Sequence, residues 1–343
     1  MMFLKKNVSK KTERRGKICM NILAAKQNTL LKIEASSEEY EQCYKEFISV
    51  YYKLRDKEDR CLYNRLSVRQ RQILHPLLLE IYRIKNRLGG FSYEIIGDKR
   101  SKTDKPVIFA VTHVGKFDIE VVSEAIKTHY YLLSGDFEHL QGTIDAPFLA
   151  LNGVIYFNER VAKDRQSAKE RMIRLLQEGG NLMYFPEGTW NLSPNLPVLP
   201  CYWGIIDIAR EGGAMIVPVA AEQYGKHFKI NIGKNINMNI YGKENKEKTR
   251  AITELRDELA TLKYEIWETV LAKRSELEIN EWEQQVEKRL SEWPYFDLDN
   301  IEGMIYHPKN VSSPQEVFDF LDKLIPSSKN AFLLRAKYES KRK

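Results

Sequence analysis

Beyond Phe91 the sequence alternates short apolar runs with amphipathic stretches, and few architectures accept that pattern. Residues 93–96, 106–111, 130–133, 154–157, 181–185, 215–220 and 228–232 read as strands. Residues 119–127, the stretch marked by Ala168, Met172, Leu175 and Leu176, and residues 204–210 read as helices. Parallel strands need crossover connections, usually helical. This order therefore predicts an α/β fold, a mixed and largely parallel sheet flanked by helices. Neither a G-x-G-x-x-G nor a P-loop occurs at any strand-to-helix turn, which leaves nucleotide binding without support.

Around that domain, read as residues 91–242, the chain carries extensions at both ends. Its 343 residues suit one large domain with additions, or two modest ones. Residues 36–90 read as an N-terminal helical pair. Ser36-Ser-Glu-Glu39 offers a capping box, and Tyr40, Cys43, Tyr44, Phe47, Tyr51 and Leu54 follow at helical spacing. A second helix over residues 66–88 is apolar on much of its circumference and stops at Gly89-Gly90. The pair either rests on a bilayer or covers one face of the sheet. Residues 243–343 read as a C-terminal helical extension: Ile252, Leu255, Leu259, Leu262 and Ile266 recur at 3-4 spacing, a further helix follows to about residue 292, and a capping box stands at Ser313-Pro-Gln-Glu316.

Charge is concentrated in a leader, residues 1–35. Lys5, Lys6, Lys10, Lys11, Arg14, Arg15 and Lys17 oppose only Glu13 in the first twenty residues, so most of the net charge of +7 sits there. Such an arm is either a solvated end or is drawn to anionic lipid, at about 1 kcal/mol per basic residue near the surface. No basic–aromatic stripe accompanies it, and no nucleic acid is expected as a partner. The leader is too charged for a secretory signal. The longest uncharged run, residues 188–206, is interrupted by Pro194, Pro197 and Pro200 and is no spanning helix. Cys19, Cys43, Cys61 and Cys201 lie apart, with no C-x-x-C pair. Together these point to a cytoplasmic, metal-free protein that meets membranes peripherally.

Chemistry concentrates at two strand ends. His113-Val-Gly-Lys-Phe-Asp118 follows the apolar run Val107-Ile-Phe-Ala-Val111. Residues five apart on a continuous helix stand about 140° apart and cannot meet. His113 must therefore lie in the turn and Asp118 in the first helical turn, with Gly115 supplying backbone freedom for the bend. An aspartate so placed accepts the imidazole Nδ1–H and leaves Nε2 to take a proton from a hydroxyl. The second strand, Met183-Tyr-Phe185, is stopped by Pro186 and turns through Glu187-Gly-Thr189 into Trp190.

Residues 106–221 resemble the glycerolipid acyltransferases, the family that includes lysophosphatidic acid acyltransferase. Four landmarks carry the resemblance in the family's order: His113…Asp118; Gly153-Val-Ile-Tyr-Phe-Asn-Glu-Arg160, one residue longer than the family's block; Phe185-Pro-Glu-Gly-Thr189; and Ile216-Val-Pro218-Val-Ala220. The resemblance implies that His113 is the general base and Asp118 its partner. It also implies that Arg160, Glu187, Gly188 and Thr189 line the acceptor site. The reaction it implies moves an acyl group from acyl-CoA or acyl carrier protein to a lipid hydroxyl, with no cofactor. Lysophosphatidate is the default acceptor, and backbone N–H groups near Gly115 or Gly188 are candidate oxyanion donors.

Two departures bear on the acceptor. The family's usual arginine after Glu-Gly-Thr is Trp190 here, and a later Lys-Lys-Gly-like segment is replaced within Leu199-Pro-Cys-Tyr-Trp-Gly204. A charge-assisted hydrogen bond contributes about 1.5–3 kcal/mol, so two lost cations weaken phosphate binding substantially. Either Lys116, Lys163 and Arg165 compensate, or Trp190 and Trp203 stack on a non-phosphate head group such as a sugar, or both tryptophans pack in the core. The proline-spaced run of residues 191–200 reads as an extended surface segment made greasy by Leu192, Leu196, Val198 and Leu199. A non-catalytic lipid-binding scaffold and a hydrolase on the same residues are the competing classes.

Overall fold

The computed structural model describes residues 38–59, 62–135, 145–158, 161–191 and 196–269. Two helices open it, α1 (Glu38–Asp59) and α2 (Val68–Gly89). Three glutamates in the first turn of α1 suit the positive end of its dipole. The cap expected at Ser36 lies outside the described residues. α2 starts at a reciprocal capping box between Ser67 and Gln70 and ends where Gly90 turns left-handed at φ 75°.

The alternating segment then gives β1 (Ser92–Asp98), β2 (Val107–Val111), α3 (Asp118–Ile126), β3 (Tyr131–Ser134), α4 (Ala146–Asn152), β4 (Val154–Tyr156), α5 (Ala162–Gln177) and β5 (Leu182–Tyr184). It continues through α6 (Gly204–Glu211), β6 (Met215–Tyr224), β7 (His227–Ile232), β8 (Ile236–Asn237) and α7 (Asn245–Trp267). The strands form one sheet in the order β1-β7-β6-β2-β5-β3-β4, with β8 also pairing with β6. Every pairing is parallel except those of β6 with β7 and β8. The fold is the α/β class that the alternation predicts. The short α4 and β8 were not legible in the sequence.

Side chains alternate across β2 with the period of two that a doubly covered sheet requires. Phe109 and Val111 join Val217, Val219, Phe228 and Ile230 under α3 and the buried Phe47 and Tyr51 of α1. Ile108 and Ala110 join Leu182, Tyr184 and Ile216 under α5, α6 and α7. α1 thus covers the sheet, and the hydroxyl of Tyr51 donates to Asp164 Oδ2 at 2.8 Å. α2 buries Leu78, Leu79 and Tyr82 but leaves Ile73, Leu77, Ile84 and Leu88 exposed along one stripe.

α7 lies on the sheet itself, with Leu255, Leu259, Leu262 and Ile266 buried. It also corrects the reading of residues 191–200 as a greasy surface. Leu196, Val198 and Leu199 are buried in the core that α7 shares, and Arg256 of α7 donates to the carbonyls of Val198 and Leu199. A proline-spaced segment forms few backbone hydrogen bonds of its own, and a helix distant in sequence supplies the missing donors. Leu192 and the segments of residues 270–343, including Ser313, lie outside the described residues. No helix among the described residues is long and apolar enough to cross a membrane.

Candidate active site

β2 and β5 are parallel neighbours, with Ala110 paired to Tyr184, so the turns that leave them emerge together at the carboxyl end of the sheet. His113 stands in the first turn and Glu187 in the second. Asp118 opens α3, and its carboxylate reaches back over the turn. Oδ2 accepts His113 Nδ1–H at 2.7 Å, Val114 N–H at 2.8 Å and Gly115 N–H at 3.2 Å. One fully buried oxygen thus fixes both the imidazole and the turn that carries it. Gly115 is not left-handed; what it provides is space, since a Cβ there would stand 3.2 Å from Gln223 Oε1.

The ring of His113 stacks on Phe185 at 4.1 Å between centroids and meets the edge of Trp190 at 6.0 Å. With one nitrogen on Asp118 and one face on Phe185, the ring has little freedom left. Its side chain remains 17% exposed, and Nε2 has no hydrogen-bond partner among the described residues. That nitrogen is the one a hydroxyl can approach.

The Glu-Gly-Thr-Trp turn serves this arrangement from beneath. Glu187 is buried; Oε1 accepts the backbone N–H of His113 at 3.0 Å and Oε2 that of Leu199 at 2.7 Å. Burial pushes its carboxyl above the usual range, against those two N–H donors and the charge of Lys263. Both oxygens are therefore committed to the backbone, and Glu187 lines the loop rather than an open acceptor pocket. Gly188 is left-handed at φ 75°, and a Cβ on it would stand 2.6 Å from the Tyr202 ring. Thr189 is buried, and its Oγ1 has no partner among the described residues. Trp190 is 4% exposed.

The other expected residues divide. Lys116 is half-buried, its ammonium 5.3 Å from the centre of the Phe117 ring. Lys163 and Arg165 are exposed in the first turn of α5. Arg160 lies outside the described residues. Of the aromatic replacements, Trp190 packs against His113, whereas Tyr202 and Trp203 are 51% and 48% exposed. The candidate oxyanion amides are committed elsewhere: Gly115 N–H to Asp118, and Gly188 N–H to the Phe185 carbonyl at 3.1 Å. Both amides serve the tight turns that their glycines allow, so neither points outward. Cys201 is no nucleophile, since burial and the neighbouring Glu187 push its thiol far up.

Sequence reasoning missed Lys263 and Arg256. Both are buried on α7 and both reach the segments that carry the site. Their only signal was a cation at a core-facing position of the 3-4 apolar pattern.

An open, largely parallel α/β sheet thus presents a carboxylate-locked histidine at its strand ends. Residues 92–222 match the family model described as Acyltransferase. The chain is 25% identical over 158 residues to a 1-acyl-sn-glycerol-3-phosphate acyltransferase of Borreliella burgdorferi, covering 45% of this chain. The chain spans 60% of the length of that relative. Among solved structures it is similar to the 1-acyl-sn-glycerophosphate (LPA) acyltransferase PlsC of Thermotoga maritima, at 14% identity and a TM-score of 0.47, covering 75% of this chain and all of that one.

Proposed function

We propose that the protein transfers a fatty acyl group from acyl-CoA or acyl carrier protein to a hydroxyl of a lysophospholipid or related glycerolipid, with lysophosphatidate the default acceptor. The observation that carries this reading is the His113 Nδ1–Asp118 Oδ2 contact of 2.7 Å, which leaves Nε2 as the free base. Nε2 takes the hydroxyl proton as the oxygen attacks the thioester carbonyl, and Asp118 stabilises the imidazolium that forms. When the C–S bond breaks, the departing thiolate receives that proton. General-base help of this kind contributes about 10²–10⁴-fold. No covalent enzyme intermediate and no cofactor enters these steps.

The acceptor lipid would reach the site from a membrane surface. The exposed stripe on α2 supports peripheral attachment, with the apolar face at the boundary between head groups and acyl chains. A second reading of the acceptor rests on Tyr202 and Trp203. Their exposed rings beside the Glu-Gly-Thr turn suit a glycolipid or another non-phosphate head group.

Labelled acyl-CoA offered with lysophosphatidate, glycerol 3-phosphate, lysophospholipids and lyso-glycolipids, read by mass spectrometry, separates these cases. His113→Ala should abolish transfer and leave the fold intact. Normal turnover in that variant would sink the mechanism. Lipid binding without transfer by the wild-type protein would favour a scaffold, and acceptor-independent release of fatty acid would favour a hydrolase.

A further inference from the structure

The family match ends at residue 222, yet a helix that starts at Asn245 reaches the core of the site. Lys263, in the last quarter of α7, is completely buried. Its ammonium donates to the carbonyl of Ala221, lies 3.3 Å from Glu222 Oε2 and stands 3.5 Å from Thr112 Oγ1. Thr112 is the residue before His113. It is itself pinned to β6, its N–H on the Val219 carbonyl and its Oγ1 accepting Ala221 N–H at 2.9 Å. Two turns earlier on α7, Arg256 holds the Val198 and Leu199 carbonyls, beside the Leu199 N–H that Glu187 accepts.

A buried ammonium costs several kcal/mol of desolvation unless its surroundings repay it, and an apolar residue would fill the same space without that cost. The charge has a local purpose if it keeps nearby carboxylates ionised. We infer that α7 positions the catalytic turn. Lys263 pairs with Glu222 beside Thr112 and pulls Glu187 toward its carboxylate form, and ionised Glu187 in turn fixes the His113 and Leu199 backbones, the latter also gripped by Arg256. Lys263 touches no substrate; it acts through Thr112 and Glu187.

The titratable and charged groups that act on Glu187 are His113 after β2, Cys201 before α6 and Lys263 of α7. Glu222 of β6 pairs with Lys263, and Arg256 of α7 holds the Leu199 carbonyl beside it. Of these, Lys263 supplies the largest side-chain pull toward ionisation. Removing it drives the Glu187 carboxyl further up. The doubly accepting form is then lost at a higher pH, and the acidic limb of the rate profile moves toward neutrality.

The full chain with Lys263→Met, compared with wild type over a pH series, tests this. A folded variant should lose about 10²-fold in kcat, the scale of a 1 Å misplacement, with KM little changed and the acidic limb shifted upward. Glu187→Gln in the same background should abolish the limb shift. Unchanged kcat and an unshifted limb overturn the inference. The rate measurement rests on the acyl-transfer reading, so a second readout stands apart from turnover. In wild-type protein labelled with [δ-¹³C]glutamate, the Glu187 resonance, assigned by its loss in Glu187→Gln, should report a carboxylate at pH 7.5. A protonated carboxyl there overturns the inference even if the Lys263 variant fails to fold. An ionised one in a protein without acyl transfer would sink the proposed function and keep the positioning role.

Discussion

Oε1 of Glu187 stands 3.0 Å from the backbone nitrogen of His113, so the second motif grips the main chain of the residue whose ring Asp118 holds. The reverse contact also exists: Asn191 N–H donates to the His113 carbonyl at 2.8 Å. The two motifs are therefore one unit, closed by both backbone polar groups of the histidine. Neither contact involves the imidazole, which leaves the ring to Asp118, Phe185 and Trp190.

Asp118 offers a prediction that separates geometry from charge. A single oxygen, Oδ2, accepts from the imidazole and from two backbone amides, while Oδ1 is buried with no partner among the described residues. In Asp118→Asn the amide oxygen can occupy the Oδ2 position and keep all three contacts, so the tautomer survives and only the negative charge is lost. The expected loss in kcat is about tenfold to a hundredfold, the difference between charged and neutral hydrogen bonds. Asp118→Ala should lose far more, because it frees the ring and orphans two amides. Steady-state rates of both variants at one pH provide the check. Equal losses would contradict this division of labour.

Trp190 yields the next expectation. Buried and edge-on to His113, it acts as a wall of the histidine's slot. Trp190→Ala should destabilise the protein by about 3–5 kcal/mol through the cavity it opens. Trp190→Arg would place a cation beside the imidazole and disfavour its protonation in the transition state. It should therefore lower turnover on every acceptor, phosphorylated or not. Denaturant titrations and the acceptor panel measure the two effects. Selective gain on phosphate acceptors at unchanged stability would mean that residue 190 faces the head group after all.

The strand–helix alternation made most of the fold legible, because each β2 or β5 run is apolar on both faces and is bounded by turn residues. α4 escaped because its seven residues, Ala146–Asn152, are too few to show a period. At the site, the separation of His113 and Asp118 compelled a turn, and the structure has one. What Glu187 touches was not legible, since a carboxylate in a turn can equally face solvent or backbone. Lys263 was hidden for a related reason. Its partners are the carbonyl of Ala221, Glu222 and Thr112, which lie 41 to 151 residues away and become neighbours only when β6 and β2 pair. Packing across the sheet decides such roles, and local pattern does not contain it.

Two buried groups behind the site give opposing pH dependences. Burial pushes Glu120 up to about 7, against the pull of Lys85. The folded state thus holds its proton more tightly than the unfolded chain. That stability is full below about 4.5 and is lost as pH climbs through 7. His129, driven down to about 4 by burial, contributes stability above 6.5 that is lost as pH falls through 4. Glu120→Gln removes the alkaline loss alone. Relative to wild type it should gain about 1–3 kcal/mol between pH 5 and pH 8, whatever constant offset follows from losing the Lys85 pair. Urea titrations over that range measure it, and parallel stability curves would refute it.

The last prediction concerns the outer face of α2. Ile73, Leu77, Ile84 and Leu88 are 72%, 60%, 57% and 85% exposed, and their spacing of four, seven and four places them on one side of the helix. The opposite side buries Leu78 and Tyr82 and sends Lys85 to Glu120 on α3, the helix that begins at Asp118. A solvent-facing helix has no use for four exposed aliphatics in a row, whereas a helix lying in a bilayer interface does. The pair Leu77→Asp and Ile84→Asp leaves the buried side untouched. It should abolish co-sedimentation with phosphatidylglycerol-containing vesicles while preserving stability and turnover of short-chain acceptors in free solution. Undiminished vesicle binding would move the membrane contact away from α2, and loss of soluble turnover would show that the stripe packs against the protein instead.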